Sequence, residues 1–202
     1  MDKIQLLLRN RYKTDGIYEI PKLRNNFIRK EEIFLMGCDH INSKKCNEDK
    51  TIHFFLEDYK FERFYYDCDK YIEKLAKYKA LLTPDFSLYP SMPLPLQRFS
   101  IFKNRWCGAF WQEYGLKVIP TITWGDKRSY SFCFKGVEKH SIVAVSTFGQ
   151  KREKQEFMLG YDAMLERIEP LYIICFGEPF AEMRGDVLYA RHSFEAKKRG
   201  CA

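Results

Sequence analysis

The sequence predicts an α/β protein with a mainly parallel sheet of about five strands and helices on both faces. Short apolar runs rich in β-branched and aromatic residues recur from residue 51 onward, and segments with helical spacing of apolar residues separate them. Several runs are apolar at every position, which is typical of parallel strands buried beneath right-handed βαβ crossovers. An open doubly wound sheet is favoured over a partial β/α barrel, because a closed barrel of that kind needs eight strands.

The first half of this pattern contains two strands and two helices. The first strand, Thr51–Leu56, precedes a segment at 69–78 whose apolar residues have helical spacing. The second strand, Lys79–Thr83, ends before a proline, which cannot donate a hydrogen bond to a sheet. Prolines at 93 and 95 then predict the start of a long helix that Gly115 ends. Large rings form a stripe along this helix, for which core packing is the favoured explanation: Phe99, Phe102, Trp106 and Phe110.

The second half repeats the alternation. The third strand, Leu116–Thr123, contains Pro120, which predicts a bulge or an edge position. A short helix is predicted at 126–134, and the fourth strand, Ser141–Ser146, is apolar almost throughout. An apolar stripe then predicts a helix at 157–168. The last elements are a fifth strand at Leu171–Phe176 and one more strand at Val187–Ala190.

The length of 202 residues suits one domain and is too short for two complete ones. Turn signals and mixed charge mark residues 1–50 as an N-terminal extension that packs on the domain. Residues 51–180 form the predicted α/β core domain. Residues 181–202 form a basic C-terminal tail.

The composition predicts a cytoplasmic protein. No apolar run approaches the roughly eighteen residues that a membrane-spanning helix needs, and the first residues lack the features of a signal peptide. The seven cysteines are an odd number, and several lie inside apolar runs, which indicates reduced thiols. We therefore expect no membrane partner.

The net charge of +7 favours acidic partners. Basic residues are concentrated near residues 98–105, 127–128, 151–154 and 197–199. Nucleic acid or a nucleotide is therefore a candidate partner, and a solvated cationic face explains the same charge equally well.

Carboxylates follow most of the predicted strands, and parallel α/β sheets bind ligands beyond the carboxyl ends of their strands. Asp85, Asp126 and Glu178 are therefore the candidate catalytic residues, as general acids or bases. Asp85 and Asp126 are also the candidate ligands of Mg²⁺ or Mn²⁺, which prefer oxygen donors. The alternative is that these carboxylates cap helices, because Asp after a strand is the usual N-cap of the next helix.

Neighbouring residues are candidates for binding a phosphate-containing ligand. Thr147 and Gly149 precede two cations at a strand-to-helix junction, which suits an anion at a helix N-terminus. An ordinary capped loop explains this junction equally well, since the chain contains no dinucleotide or P-loop glycine motif. The complete set of candidate ligand-binding residues is Asp58, Arg63, Arg98, Trp124, Arg128, Thr147 and Gly149.

Zinc is not predicted. Cys38, His40 and Cys46 offer ligands, but their spacing matches none of the usual zinc patterns, and no second pair follows. His53 lies inside a predicted strand, where a satisfied core histidine is the favoured interpretation.

Four segments resemble a family of uncharacterised phage and plasmid proteins catalogued as a domain of unknown function. The resemblance covers roughly residues 51–180 and implies a genetic setting in mobile elements, with no activity, cofactor or catalytic residue attached. That setting favours two roles equally, action on nucleic acid and interference with host machinery. The four segments are Thr51–Arg63, Tyr78–Pro93, Val118–Asp126 and Ser141–Gly149.

Two functions remain open at this point. The first is binding of nucleic acid or another phosphate-containing ligand at the carboxyl edge of the sheet, with or without divalent-metal-dependent phosphodiester chemistry. The alternative is a non-catalytic module that binds DNA, RNA or a host protein, in which the carboxylates cap helices. Whether the protein is an enzyme is not decided by the sequence.

Overall fold

The computed structural model describes residues 7–41 and 48–190. The chain first forms a small antiparallel hairpin from β1 (Thr14–Asp15) and β2 (Ile20–Pro21). Strand β3 (Leu35–Gly37) then enters the main sheet, so a part of the chain that the sequence pattern leaves unassigned contributes a strand. Most of the predicted basic tail lies outside the described residues.

The first sheet contains four parallel strands in chain order. After β3 come β4 (Thr51–His53), β5 (Ala80–Leu82) and β6 (Val118–Ile119), each shorter than the apolar run that predicts it. Strand β6 ends before Pro120, as expected for a residue without an N–H group.

The second sheet contains three parallel strands, again in chain order. They are β7 (Val143–Ser146), β8 (Ile173–Phe176) and β9 (Val187–Tyr189). All three lie within predicted strands. An isolated parallel bridge between Thr121 and Ala144 joins the end of the first sheet to the start of the second.

The segment predicted as one helix at 69–78 is divided. Helix α1 (Arg63–Tyr66) and helix α2 (Ile72–Leu75) lie on either side of a short 3-10 helix, Cys68–Tyr71. The predicted helix at 126–134 is also a 3-10 helix, Lys127–Ser131.

The two long helices agree with the prediction. Helix α3 (Leu94–Glu113) begins beside the two prolines, and Gly115 adopts the left-handed conformation that ends it, with φ of +79°. Helix α4 (Lys154–Ile168) carries the predicted apolar stripe and ends before Pro170.

Successive strand residues contribute to different apolar clusters. Val143 and Val145 pack with residues of α4, and Leu81 packs with the large rings of α3. The alternate residues of the same strands point to the opposite face of each sheet. They belong to a third apolar cluster, to which both sheets contribute. The inner faces of the two sheets therefore pack against each other, while α3 and α4 cover outer faces. The shared inner cluster includes Leu35, Leu82, Ile119, Ala144 and Ile174.

The predicted α/β class with mainly parallel strands is confirmed. The strand order follows the chain without the reversal of a doubly wound sheet, and no pairing among the described residues joins β9 to β3. Across the described parts of the chain, no helix combines the length and the apolarity that a membrane span requires.

Candidate functional site

The loops that follow the parallel strands open on one side of the sheets, which we call the carboxyl edge. Asp58, Asp85 and Thr123 follow β4, β5 and β6 on this edge. The Thr123 hydroxyl donates a hydrogen bond to the Asp85 carboxylate, and the charge of Asp58 acts on the same carboxylate. Together with Ser87 and Lys103, these side chains form the Asp85 cluster.

Asp85 has an unusual carboxyl group. It is half-buried, and burial raises its pKa from an ordinary value of 3.8 to about 7. The hydrogen bond from Thr123 lowers this pKa, and the negative charge of Asp58 raises it. A carboxyl group with a pKa near 7 is present in both protonation states at neutral pH, so it can donate or accept a proton.

Asp58 holds the loop that carries Asp85. The backbone N–H of Ser87 donates to both oxygens of Asp58, at 3.1 and 3.2 Å, and the Ser87 hydroxyl donates to one of them at 2.8 Å. Because Ser87 lies two residues after Asp85, these bonds fasten the loop after β5 to the loop after β4. Asp58 therefore positions Asp85 as well as acting on its charge.

Lys103 reaches the cluster from α3 and is only 6% exposed. Its ammonium nitrogen lies 3.9 Å from the centre of the Phe86 ring and 5.2 Å from that of Phe99. Among the described residues, nothing accepts a hydrogen bond from this ammonium group or forms an ion pair with it. Burial lowers the pKa of Lys103, and the charges of Asp58 and Glu62 oppose that shift.

Asp126 caps the 3-10 helix that follows it. Its carboxylate accepts a hydrogen bond from the backbone N–H of Arg128 at 3.0 Å and forms an ion pair with the Arg128 guanidinium at 2.8 Å. The hydrogen bond from Arg128 lowers the pKa of Asp126. Asp85 and Asp126, predicted as joint metal ligands, thus belong to two separate hydrogen-bonded groups.

Two of the predicted phosphate-binding arginines lie on aromatic rings. The guanidinium carbon of Arg98 is 4.0 Å from the Tyr18 ring centre, and that of Arg63 is 5.6 Å from the Tyr71 ring centre. The Nε atom of each arginine is buried without a hydrogen-bond partner among the described residues. Within the described residues, neither arginine is hydrogen-bonded to Asp85 or affects its pKa.

Trp124 is a packing residue. Its ring lies 5.0 Å from the ring of Phe157 on α4. It also covers Gly160, where an added Cβ would lie 2.1 Å from the indole Nε1. Trp124 therefore requires a glycine beneath it, and this contact fixes α4 against the loop after β6.

Thr147, Gly149 and Glu178 form a second part of the carboxyl edge. The Thr147 hydroxyl donates to the backbone carbonyl of Glu178 at 2.9 Å, so it joins the loops after β7 and β8. Gly149 has a φ of +78° and precedes a short 3-10 helix, Gln150–Glu153. The Glu178 side chain is exposed and adds a negative charge to this edge.

The ends of β4 and β8 meet although these strands belong to different sheets. The rings of His53 and Phe176 lie 4.7 Å apart, and those of Phe55 and Phe176 lie 4.9 Å apart. The Phe148 ring lies 6.1 Å from Phe176. The loops after β4, β7 and β8 therefore meet on the carboxyl edge. The backbone N–H of Phe55 donates to Nδ1 of His53, in agreement with a core role for this histidine.

Exposed aromatic rings extend from the loops after β4, β5 and β7. Tyr59 is 75% exposed, Tyr89 60% and Phe148 76%. Exposed apolar side chains that lie on one edge can form a contact surface, whereas singly exposed ones are common.

Exposed cations lie on the same edge. Lys127, Lys151 and Arg152 form no ion pair with a carboxylate of the described residues, whereas the neighbouring Glu57 is paired with Lys60 at 2.7 Å. Part of the negative charge of this edge is thus neutralised internally. We call the aromatic and basic set the rim: Tyr59, Tyr89, Lys127, Phe148, Lys151 and Arg152.

A metal centre is not evident. The described residues contain no group of three or more His, Cys, Asp or Glu side chains arranged to hold a metal ion. Cys38 is buried, and burial raises the pKa of its thiol to about 12, while Cys46 lies outside the described residues. The cysteines of the described residues are free thiols, as predicted.

Sequence reasoning found Asp58 and Asp85 but assigned no site role to Lys103 or Thr123. A signal for Lys103 existed, because it lies four residues after Phe99 and three before Trp106, within the apolar stripe of α3. A charged residue at a core position indicates either a buried partner or a ligand. Thr123 had no such signal, since a polar residue at a strand end is common.

We expect Asp85→Asn to change how stability depends on pH. The raised pKa of about 7 means that the protonated form of Asp85 favours folding. That contribution is complete below about pH 4 and is lost as the pH rises through 7. Asparagine does not titrate, so the stability of the variant relative to the wild type should increase from pH 4.5 to 7.5 in urea unfolding. Asp126→Asn is the control, with a flat difference over this range because the pKa of Asp126 is lowered.

Comparison with known proteins places the chain among phage proteins. A family model described as domain of unknown function (DUF4417) matches residues 12–194. A "Gene 1 protein" of Mycobacterium phage L5 is 32% identical over 176 residues, which cover 86% of this chain and 77% of that protein. A "Gene 1 protein" of Mycobacterium phage D29 is 31% identical over 175 residues, covering 85% and 65% respectively. No solved structure matches.

Proposed function

The chain belongs to the family described as domain of unknown function DUF4417, and from that premise we propose that it binds single-stranded nucleic acid at its carboxyl edge. The observation that carries the proposal is the rim, where exposed rings and unpaired cations lie on loops of the same carboxyl edge. A phage setting, shared with the two relatives, is consistent with a nucleic-acid ligand.

The basic part of the rim supports contact with phosphate groups. Three cations of the rim are exposed and form no ion pair with a carboxylate of the described residues: Lys127, Lys151 and Arg152. Such cations neutralise backbone phosphates and release counterions, which provides most of the affinity of sequence-independent binding.

The aromatic part of the rim supports single strands over duplex. A base can stack on an exposed ring only when it is not already stacked and paired in a duplex, and each stacked base contributes about 1–3 kcal/mol. Tyr59, Tyr89 and Phe148 offer three such rings on separate loops. Aromatic residues are also common in protein interfaces, so a host protein remains the alternative partner.

Binding of a fluorescent single-stranded oligonucleotide tests the proposal. We expect the anisotropy-derived affinity to fall steeply with salt, with a logarithmic slope of about −2 for three neutralised phosphates. Phe148→Ala should weaken binding by about fivefold to a hundredfold, because one stacking ring is removed. Leu159→Ala, which removes another exposed apolar side chain, on α4, should leave binding unchanged. Salt-independent binding, or equal effects of the two variants, would contradict the proposal.

Proton transfer at Asp85 is a second candidate function, which its pKa of about 7 favours. Asp85 would act as a general acid or base on a bound strand. A divalent ion is not part of this candidate, because the Asp126 carboxylate is paired with Arg128. Oligonucleotide cleavage that depends on pH around 7 and disappears in Asp85→Asn would support it. The same products in the variant would exclude Asp85 from the reaction.

A further inference from the structure

Hydrogen bonds between loops lie directly beside three residues of the rim. We propose that Asp58 and Arg128 are positioning residues, which hold Tyr59, Tyr89 and Lys127 as one binding unit. This inference rests on the proposed function and deepens it, because it names side chains that act on the bound strand through the rim. It depends on two connections, one made by each positioning residue.

Asp58 joins the loop of Tyr59 to the loop of Tyr89. Its carboxylate accepts hydrogen bonds from the backbone N–H of Ser87 at 3.1 and 3.2 Å and from the Ser87 hydroxyl at 2.8 Å. Tyr59 directly follows Asp58, and Tyr89 lies two residues after Ser87. Both tyrosines are therefore close in the chain to a bonded group, so these contacts limit how far the two rings can move apart.

An apolar contact holds the same two loops together independently of these bonds. The rings of Phe61 and Phe86 lie 5.1 Å apart, and both side chains are buried. Burial of such rings makes a large contribution to stability. We therefore expect the protein to fold when the hydrogen bonds of Asp58 are weakened, so that a variant at this position changes the placement of the exposed rings.

Arg128 makes the second connection, between the loop after β5 and the loop after β6. Its Nη2 atom donates to the Pro90 carbonyl at 2.6 Å, and its guanidinium forms the ion pair with Asp126 at 2.8 Å. Pro90 directly follows Tyr89, and Lys127 lies between the two members of the ion pair. The planar guanidinium donates to both partners at once, so it fixes Tyr89 relative to Lys127.

Asp58 has two opposite effects on binding of a nucleic acid. Its negative charge repels phosphate groups, and loss of that charge alone should strengthen binding. Its hydrogen bonds hold two loops in place, and loops that are ordered before binding avoid the cost of being ordered by the ligand. The two effects differ in sign, so the direction in which affinity changes identifies the one that dominates.

Fluorescence anisotropy of the full chain with a single-stranded oligonucleotide tests the inference. Measurement at about pH 8.5 keeps Asp85 ionised with or without the charge of Asp58. We expect Asp58→Asn to weaken binding by about twofold to tenfold, although it removes a negative charge. Glu178→Gln is the matched control, because it removes the same charge from an exposed position on this edge and should strengthen binding slightly.

Arg128→Lys tests the second connection without a change in charge. An ammonium group cannot reproduce the planar donation to two partners, so binding should weaken by about twofold to tenfold. In a Tyr89→Ala background this loss should shrink, because the ring that Arg128 positions is absent. In a Phe148→Ala background it should persist, because Phe148 lies on the loop after β7, which neither connection includes. A general loss of structure would have the same effect in both backgrounds.

The outcomes separate this inference from the proposed function. Unchanged or tighter binding by either Asp58→Asn or Arg128→Lys, or equal losses in the two ring-deleted backgrounds, overturns the positioning role. If the wild type binds oligonucleotides with the expected salt dependence in that case, the rim proposal stands. Absence of oligonucleotide binding by the wild type overturns the two proposals together.

Discussion

Reversing the charge at Lys127, Lys151 and Arg152 together is expected to weaken binding of single-stranded nucleic acid by at least about a hundredfold. Each wild-type cation attracts a backbone phosphate, and a glutamate repels it. Each substitution therefore removes an attraction and adds a repulsion. The affinity of the variant should also lose most of its salt dependence, because few counterions are left to release. Fluorescence anisotropy at several salt concentrations measures both quantities.

A control with the same change in net charge separates local contacts from general attraction. Lys22, Lys77 and Lys117 are exposed, and the last two precede β5 and β6, at the edge opposite the rim. Their combined replacement by glutamate should weaken binding only through the long-range field, which salt screens over about 10 Å. Equal losses in the two triple variants would show that net charge, and not the rim, determines binding.

The strands of the second sheet were predictable because their burial is local in origin. Segments 141–146 and 171–176 are apolar at nearly every position, which is typical of a strand covered on both faces. The position of Asp85 followed from the same logic, since a residue after a parallel strand must lie at the carboxyl edge. These conclusions required no knowledge of which strands are neighbours.

The remaining features depend on tertiary contacts that no short segment encodes. Strand β3 has only three residues, and its Leu35 and Met36 are buried by partners far away in the chain. Asp126 fits a metal ligand and a helix cap equally well in sequence, and only the structure shows that its carboxylate accepts the backbone N–H of Arg128. The contact between the ends of β4 and β8 likewise joins two sheets that, within the described residues, share the isolated bridge between Thr121 and Ala144.

Replacing Arg105 by leucine is expected to reduce the free energy of unfolding by about 3–5 kcal/mol. Arg105 is completely buried and donates to three backbone carbonyls: Lys135 at 3.0 Å, Thr121 at 3.0 Å and Cys133 at 2.9 Å. Leucine would remove the donor from the Lys135 and Cys133 carbonyls, at a cost of about 1–3 kcal/mol each before any relaxation, whereas the Thr121 carbonyl would keep its hydrogen bond from the Asn104 side chain. Urea unfolding followed by circular dichroism measures the loss.

Arg105→Lys should lose most of this stability as well, because an ammonium group cannot reach three carbonyls that lie around a planar guanidinium. Arg152→Leu is the control, since an exposed arginine should change stability by no more than about 0.5 kcal/mol. A loss below about 1 kcal/mol for Arg105→Leu would mean that water replaces the guanidinium.

The position of Arg105 on α3 matters for the site because Asn104, the preceding residue, donates to the Pro84 carbonyl at 2.8 Å. This turn of α3 is thus fastened to the loop that carries Asp85.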